Sequence, residues 1–237
     1  VVIGWMIVPL LCLPDVLFDP TGYIWGSAAA DALGVLWTVW HVGASLLDGQ
    51  GLGVHAESVQ FPRGGTLWPA TPLESALLTP ISQTLGAVFA FNLLQLLHVG
   101  LAGGATYALC VRLGSARLPS LAGSAVMALS PMLLLSARNG NVEVSQVYWL
   151  PLVALAVLSG AQRTAWWAGA LAGVALALSA IGNIYVGIAS GVVLLGVVWS
   201  LQAWRVGAVA LGVAAVIAGP VLGFAASLSI GSGSIVD

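Results

Sequence analysis

The residues able to do chemistry in this chain are few, and they cluster. Of the eight acids, Asp15, Asp19, Asp31, Asp48, Glu57 and Glu74 fall between Pro14 and Glu74, together with His41 and His55, two of the three histidines. Asp31 is the leading candidate. It follows an Ala-rich turn and opens a periodic apolar stretch. One role for it is an N-cap, since a carboxylate accepts backbone N–H bonds at a helix start. The other is a general base toward an acceptor hydroxyl, held at a membrane–water boundary. A second group is Arg138-Asn-Gly-Asn-Val-Glu143. Arg138 and Glu143 can form a local ion pair. Alternatively, Glu143 acts with Asp31 on a divalent cation (Mg or Mn) through oxygen ligands, or Arg138 and Glu143 bind a phosphate-bearing ligand. His55 and Glu57 lie close together in a flexible loop, as solvated groups or as substrate contacts. His98 and Asn92 stand inside an apolar run, where polar groups pair between helices or line a path for a proton or ligand. No spacing supports a Ser/His/Asp arrangement, a phosphate-cradling loop or a cysteine cluster.

These groups sit in a chain made for lipid. It has 237 residues, mean hydropathy +1.04 and only 6% charged residues, where soluble domains average about 25%. A water-soluble fold is excluded, and at about 20 residues per crossing the length accommodates roughly seven spans. There is no lysine and the net charge is -2, so no basic surface is available for a nucleic-acid backbone. Cys12 and Cys110 each lie in apolar runs and read as small hydrophobes rather than a disulfide.

Along the chain, Val1 to Leu13 reads as the end of a first span, stopped by Pro14. Residues 14–85 form a long first extracytoplasmic loop with juxtamembrane helices. Within it, a helix beginning at Asp31 carries Leu33, Leu36, Trp37, Trp40, Ala44 and Leu47 on one face, with Gly34, Thr38, Ser45 and Asp48 off it. Two tryptophans on such a face predict a helix lying in the interface plane. Gly49 to Pro72 is irregular, with a turn signal at Val59-Gln-Phe-Pro-Arg-Gly-Gly65. A short helix broken by Pro80 spans Leu73 to Leu85. Residues 86–224 form the transmembrane helix bundle. Its spans are Gly86–Cys110, Ser120–Ala137 kinked at Pro131, Val144–Ser159, Ala165–Ile181, Ile184–Leu201 and Gly207–Leu222. Glycine pairs at one-turn spacing (Gly100, Gly103, Gly104, Gly169, Gly173, Gly187, Gly191) predict close helix approach. The fold class is thus an all-α, multi-span membrane bundle in a single domain, 1–237. The chain opens inside an apolar run and stops at Gly231-Ser-Gly-Ser-Ile-Val-Asp237, which predicts a fragment truncated at both ends.

With the 14–85 segment on one side, Arg112, Arg117, Arg163 and Arg205 fall on the other, without acids. An excess of arginine marks the cytoplasmic side, so the acidic loop is expected to be extracytoplasmic.

The order of local motifs carries a family resemblance. Ala30-Asp31 and Trp37 come first, then Phe61-Pro62-Arg63-Gly64 and Thr79-Pro80. Ala90-Phe91-Asn92-Leu93 enters a span, followed by Gly104-Ala105-Thr106-Tyr107 and Leu129-Ser130-Pro131. Gly140 and Glu143 precede Trp149-Leu150-Pro151-Leu152. Over residues 1 to 160 this order resembles bacterial members of the GT-C superfamily of integral-membrane glycosyltransferases. The resemblance implies sugar transfer from a polyprenyl-phosphate donor to a glycan, lipid or protein acceptor, at the outer face of the bacterial cytoplasmic membrane. It implies Asp31 as catalytic base or metal contact, preceded here by Ala30 where relatives often carry Gly. It implies Glu143 as a second acid on a divalent cation, although no paired-acid motif stands there. A transporter or flippase of a lipid-linked saccharide, and a non-catalytic multi-pass subunit, are the alternative readings. Inverted repeats favour a transporter, and none is evident.

Overall fold

The structure is a computed structural model that describes residues 1–27, 30–56, 65–66, 68–69, 71–142, 144–161 and 165–231. It is helical almost throughout. α1 (Val2–Leu11) and α2 (Pro14–Phe18) lead into α3 (Ala32–Leu47). A two-residue antiparallel pair follows, β1 (His55–Ala56) with β2 (Gly65–Thr66), in register His55 with Thr66 and Ala56 with Gly65. Then come α4 (Pro72–Leu77), α5 (Thr79–Leu85), α6 (Ala87–Arg112), α7 (Arg117–Ala128), α8 (Pro131–Asn139), α9 (Trp149–Ala161), α10 (Trp166–Gly182), α11 (Ile184–Leu201) and α12 (Trp204–Gly231).

Proline and glycine punctuate these helices as their chemistry requires. Pro14, Pro72, Pro80 and Pro131 each stand at the first or second position of a helix, where the missing N–H costs nothing. Pro131 therefore divides the expected kinked span into α7 and α8, and the Ser130 hydroxyl caps α8 by accepting from Leu133 N–H. Pro80 likewise separates α4 from α5. Asn183 divides α10 from α11, its side chain accepting from the N–H groups of Tyr185 and Val186.

Among the described residues, four helical stretches are long and apolar enough to cross a membrane: Ala87–Arg112, Arg117–Asn139, Ile184–Leu201 and Trp204–Leu228. That is fewer than the seven expected. α1, α9 and α10 are apolar but have 10, 13 and 17 residues, against about 20 for a full crossing. The expected span Val144–Ser159 begins five residues late, at Trp149, because residues 144–148 form turns that deliver Tyr148 to a partner on α4.

Small residues set the helix contacts. Gly100, Gly103 and Gly104 of α6 face Val2, Trp5 and Met6 of α1, and a methyl on any of them would collide. Gly169 packs on Val206 and Val209, and Gly173 on Ala210 and Val213. A four-residue step on α10 thus matches a four-residue step on α12, so the two run parallel and start at one end of the bundle. At that same end the Arg112 guanidinium donates to the Leu158 carbonyl at 3.1 Å, tying the end of α6 to the end of α9. Arg112, Arg117 and Arg205 therefore gather at one end. Asp31, Glu74 and Arg138 belong to the other.

Candidate functional site

At the acidic end, two polar side chains of α6 hold down the chain that leads to Asp31. Asn92, 2% exposed, donates through Nδ2 to the carbonyls of Pro20 (3.0 Å) and Tyr23 (2.7 Å) and accepts through Oδ1 from Trp25 N–H (2.7 Å). One turn on, buried Gln95 donates to the Ala137 carbonyl at 3.0 Å. Asn92 was expected to pair between helices or to line a path for a proton or ligand; its side chain instead bonds loop backbone, including the buried Trp25 N–H that would otherwise be left unsatisfied. Gln95 then connects the same face of α6 to the end of α8, one residue before Arg138.

Asp31 is the residue preceding α3 and is exposed. Its carboxylate makes no cap hydrogen bond to the helix, so the N-cap role is not what holds it there. The next residue, Ala32, is fully buried, and with Val35 and Val39 it packs against Phe91, Leu94 and Val142. Ala32 lies directly on Gly140, which ends α8 with φ +72° and has no room for a Cβ against the Ala32 backbone. Only glycine meets both demands, the left-handed conformation and the close approach. That contact brings the start of α3 onto the C-terminal end of α8, whose last turn carries Arg138.

α3 has a buried face and an exposed face. Val35, Thr38, Val39, Val42 and Ser45 turn inward, while Leu33, Trp40 and Leu47 are exposed. Of the residues that fell off the apolar face in sequence, Thr38 and Ser45 meet the protein, while Gly34 and Asp48 are exposed.

Arg138 is exposed and lines a cavity of about 460 Å³. Most of its wall is apolar, from Val8, Pro9 and Leu13 at the end of α1 to Leu129 and Leu134 beside α8. Asp15 and Trp25 also contribute. Its size is that of a small-ligand pocket, and an apolar wall with a few convergent polar groups is the usual make-up of such pockets.

The other candidates lie elsewhere. His55 is exposed and shares a cavity of about 510 Å³ with His41, Gln50 and Gly53. His41 donates through Nε2 to the Gly53 carbonyl at 2.9 Å and stacks on Trp37. His41 is ten residues along α3 from Asp31, roughly 15 Å of helix, so His55 is not brought to Asp31. Glu57, Glu143 and the turn signal from Val59 to Gly64 lie outside the described residues. Among the described residues, no three His, Cys, Asp or Glu side chains converge as a metal site. Of the expected Asp31–Glu143 cation pair, Asp31 alone is among the described residues.

One constellation was not singled out from sequence. Glu74, on α4, accepts through Oε1 from the Tyr148 hydroxyl at 3.1 Å. The Tyr148 ring lies 5.5 Å from that of His98, which is 1% exposed. Burial pushes the Glu74 carboxyl above its ordinary value of 4.5; hydrogen bonds from its own backbone and from Tyr148 pull the other way and do not overcome it. The signals available in sequence were Glu74 inside the apolar run Pro72-Leu-Glu-Ser-Ala-Leu77, and Asn92, Gln95 and His98 at three-residue spacing, which makes one polar stripe along a helix. Tyr148 had no local signal. No family model, curated protein or solved structure matches this chain.

Proposed function

We propose that the chain is a membrane glycosyltransferase that moves a sugar from a polyprenyl-phosphate-linked donor to an acceptor hydroxyl. The observation that carries this reading is the seat of Ala32 on Gly140. It sets an exposed, uncapped carboxylate, Asp31, beside the end of α8, where the Arg138 side chain borders an apolar cavity. In this reading Asp31 takes the proton of the acceptor hydroxyl, the acceptor oxygen bonds to the anomeric carbon, and the bond from that carbon to the phosphate oxygen breaks. The leaving polyprenyl phosphate keeps the negative charge, and Arg138 stabilises it by charge-assisted hydrogen bonding. The polyprenyl chain lies against the apolar walls from α1 and α8. The setting is the bacterial cytoplasmic membrane, with the 14–85 segment on the extracytoplasmic side. The grouping of Arg112, Arg117 and Arg205 at the opposite end supports that orientation under the positive-inside rule. The acidic end as a site held by α6 supports a catalytic role over a scaffold, because Asn92 and Gln95 position the approaches to both Asp31 and Arg138.

The test is sugar transfer from a lipid-linked donor by the full protein in membranes, wild type against Asp31→Asn. The expected outcome is transfer that falls by 10²-fold or more, the usual scale of a general base, with normal amounts of folded protein. Undiminished transfer by the variant removes Asp31 from the reaction. Movement of the lipid-linked sugar across the membrane without bond transfer, by both forms, assigns a flippase instead.

A further inference from the structure

On the far side of Leu78 and Leu94 from α3 lies a second cavity, of about 620 Å³, that the glycosyl-transfer reading does not use. Its wall is almost wholly leucine, contributed by α4, α6, α9 and α10, and interrupted by Glu74, His98, Tyr148 and Trp149. Leu77 on the wall is 79% exposed, so the cavity opens at the protein surface beside α4 rather than closing as a core void.

Three of the polar side chains on this wall, Glu74, His98 and Trp149, carry buried atoms without a partner among the described residues, Trp149 at Nε1. Tyr148 satisfies Glu74 Oε1, but Glu74 Oε2 is buried with no hydrogen-bond partner among the described residues. His98 is 1% exposed and neither Nδ1 nor Nε2 has a partner among them. A buried polar atom without a partner costs about 1–3 kcal/mol, and four such atoms on one cavity wall are a large expense for a bundle that could have placed leucine there. Apolar packing alone does not account for them. A ligand group that both donates and accepts does.

We propose that this cavity binds a bilayer-derived amphiphile with a single apolar chain and an uncharged hydroxyl head, the hydroxyl bonding to Glu74 and His98. The head must be small, because among the described residues only these side chains, Tyr148 and the Trp149 indole N–H offer it polar contacts. It must carry no negative charge, because none of the described arginines (Arg112, Arg117, Arg138 and Arg205) lines the cavity and the chain has no lysine. A phosphate would be buried beside a carboxyl with no counter-charge, which is costly. A hydroxyl fits the inventory, since it donates one hydrogen bond and accepts two. Neutral imidazole donates from one nitrogen and accepts at the other. The chain of the ligand takes the leucine wall. This site is separate from the Arg138 cavity in both lining and charge, and it stands whether or not the chain transfers sugars.

The experiment uses the full protein in nanodiscs with a diazirine-bearing hexadecanol as probe. Photolabelling should saturate, fall on the peptides carrying Leu97–Leu101 and Tyr148–Leu152, and be displaced by hexadecanol. Hexadecyl phosphate and hexadecylamine should compete at least 10-fold less well. Glu74→Leu should weaken labelling 10-fold or more, and Glu74→Gln, which still donates and accepts, by less than threefold. Leu101→Trp fills the cavity with Glu74 intact and should abolish labelling, so the outcome does not depend on Glu74→Leu folding. Non-saturable labelling confined to lipid-facing residues such as Val192 and Leu195 overturns the proposal. So does equal competition by the phosphate or the amine, or full labelling of Leu101→Trp.

Discussion

Asn92→Ala is the perturbation that most directly probes how the acidic end is held. The wild-type side chain serves three backbone groups: the Pro20 and Tyr23 carbonyls and the Trp25 N–H. Truncation strands all three. Pro20 and Tyr23 lie where water can reach them, while Trp25 is 6% exposed and its N–H is not relieved. At about 1–3 kcal/mol for each stranded buried group and much less for a solvated one, the loss is about 3 kcal/mol. At 1.4 kcal/mol per factor of ten, that is roughly a 10²-fold rise in local opening. Hydrogen exchange on the 20–27 segment in nanodiscs reads this directly. The segment should lose about two orders of magnitude of protection, while α10 and α12, which touch none of these groups, should not change. Asn92→Asp separates hydrogen bonding from volume. It keeps the acceptor for Trp25 but turns a carboxylate oxygen toward two carbonyls, so it should be no better than Asn92→Ala. Exchange within threefold of wild type in either variant refutes the view that Asn92 anchors the approach to Asp31.

Further outcomes follow from other contacts. Gly140→Ala forces a Cβ into the Ala32 backbone at φ +72°; it should cost about 2 kcal/mol or more from conformation and collision together, lower the unfolding temperature, and depress sugar transfer if Asp31 is the base. Gly219→Ala on α12, where a Cβ meets nothing within 4 Å, is the matched control and should be neutral or stabilising by about 0.5–1 kcal/mol. The raised Glu74 carboxyl makes stability depend on pH. Above its ordinary value of 4.5 the unfolded chain has lost that proton while the folded chain keeps it. Stability should therefore fall as pH climbs from about 4.5 through the raised folded value, and then level off. Glu74→Gln should remove that slope in thermal unfolding measured from pH 4 to 8; an unchanged slope assigns it to another group. Gly173→Leu should separate α10 from α12, whose Ala210 carbonyl lies 2.5 Å from the added Cβ position; unfolding temperature unaltered by it refutes the close packing of this pair.

Composition and periodicity alone determined the class of this protein. A charged fraction of 6% cannot surround a soluble core, and the apolar runs then had to be helices, because lipid offers no partner for open backbone. The breaks at Pro14, Pro80, Pro131 and Asn183 were legible for the same local reason, a missing N–H or a capping side chain. The start of α3 after Asp31, and the glycines on which α1 and α12 pack, were legible as well. The number of crossings was not. Hydropathy reads Val144–Ser159 as one run, but the first five residues are drawn into turns by a Tyr148–Glu74 hydrogen bond that joins positions 74 residues apart. The site divides in the same way. Asp31 and Arg138 could be named from residue type and position, yet nothing local says that the helix start bearing one rests on the glycine two residues past the other. That Asn92 would hold a loop rather than a helix, that His55 would sit with His41, and that Glu74, Tyr148 and His98 would share a cavity were likewise decided by tertiary structure. Each depends on which buried polar group finds which partner across the bundle, and that is set only when the helices have packed.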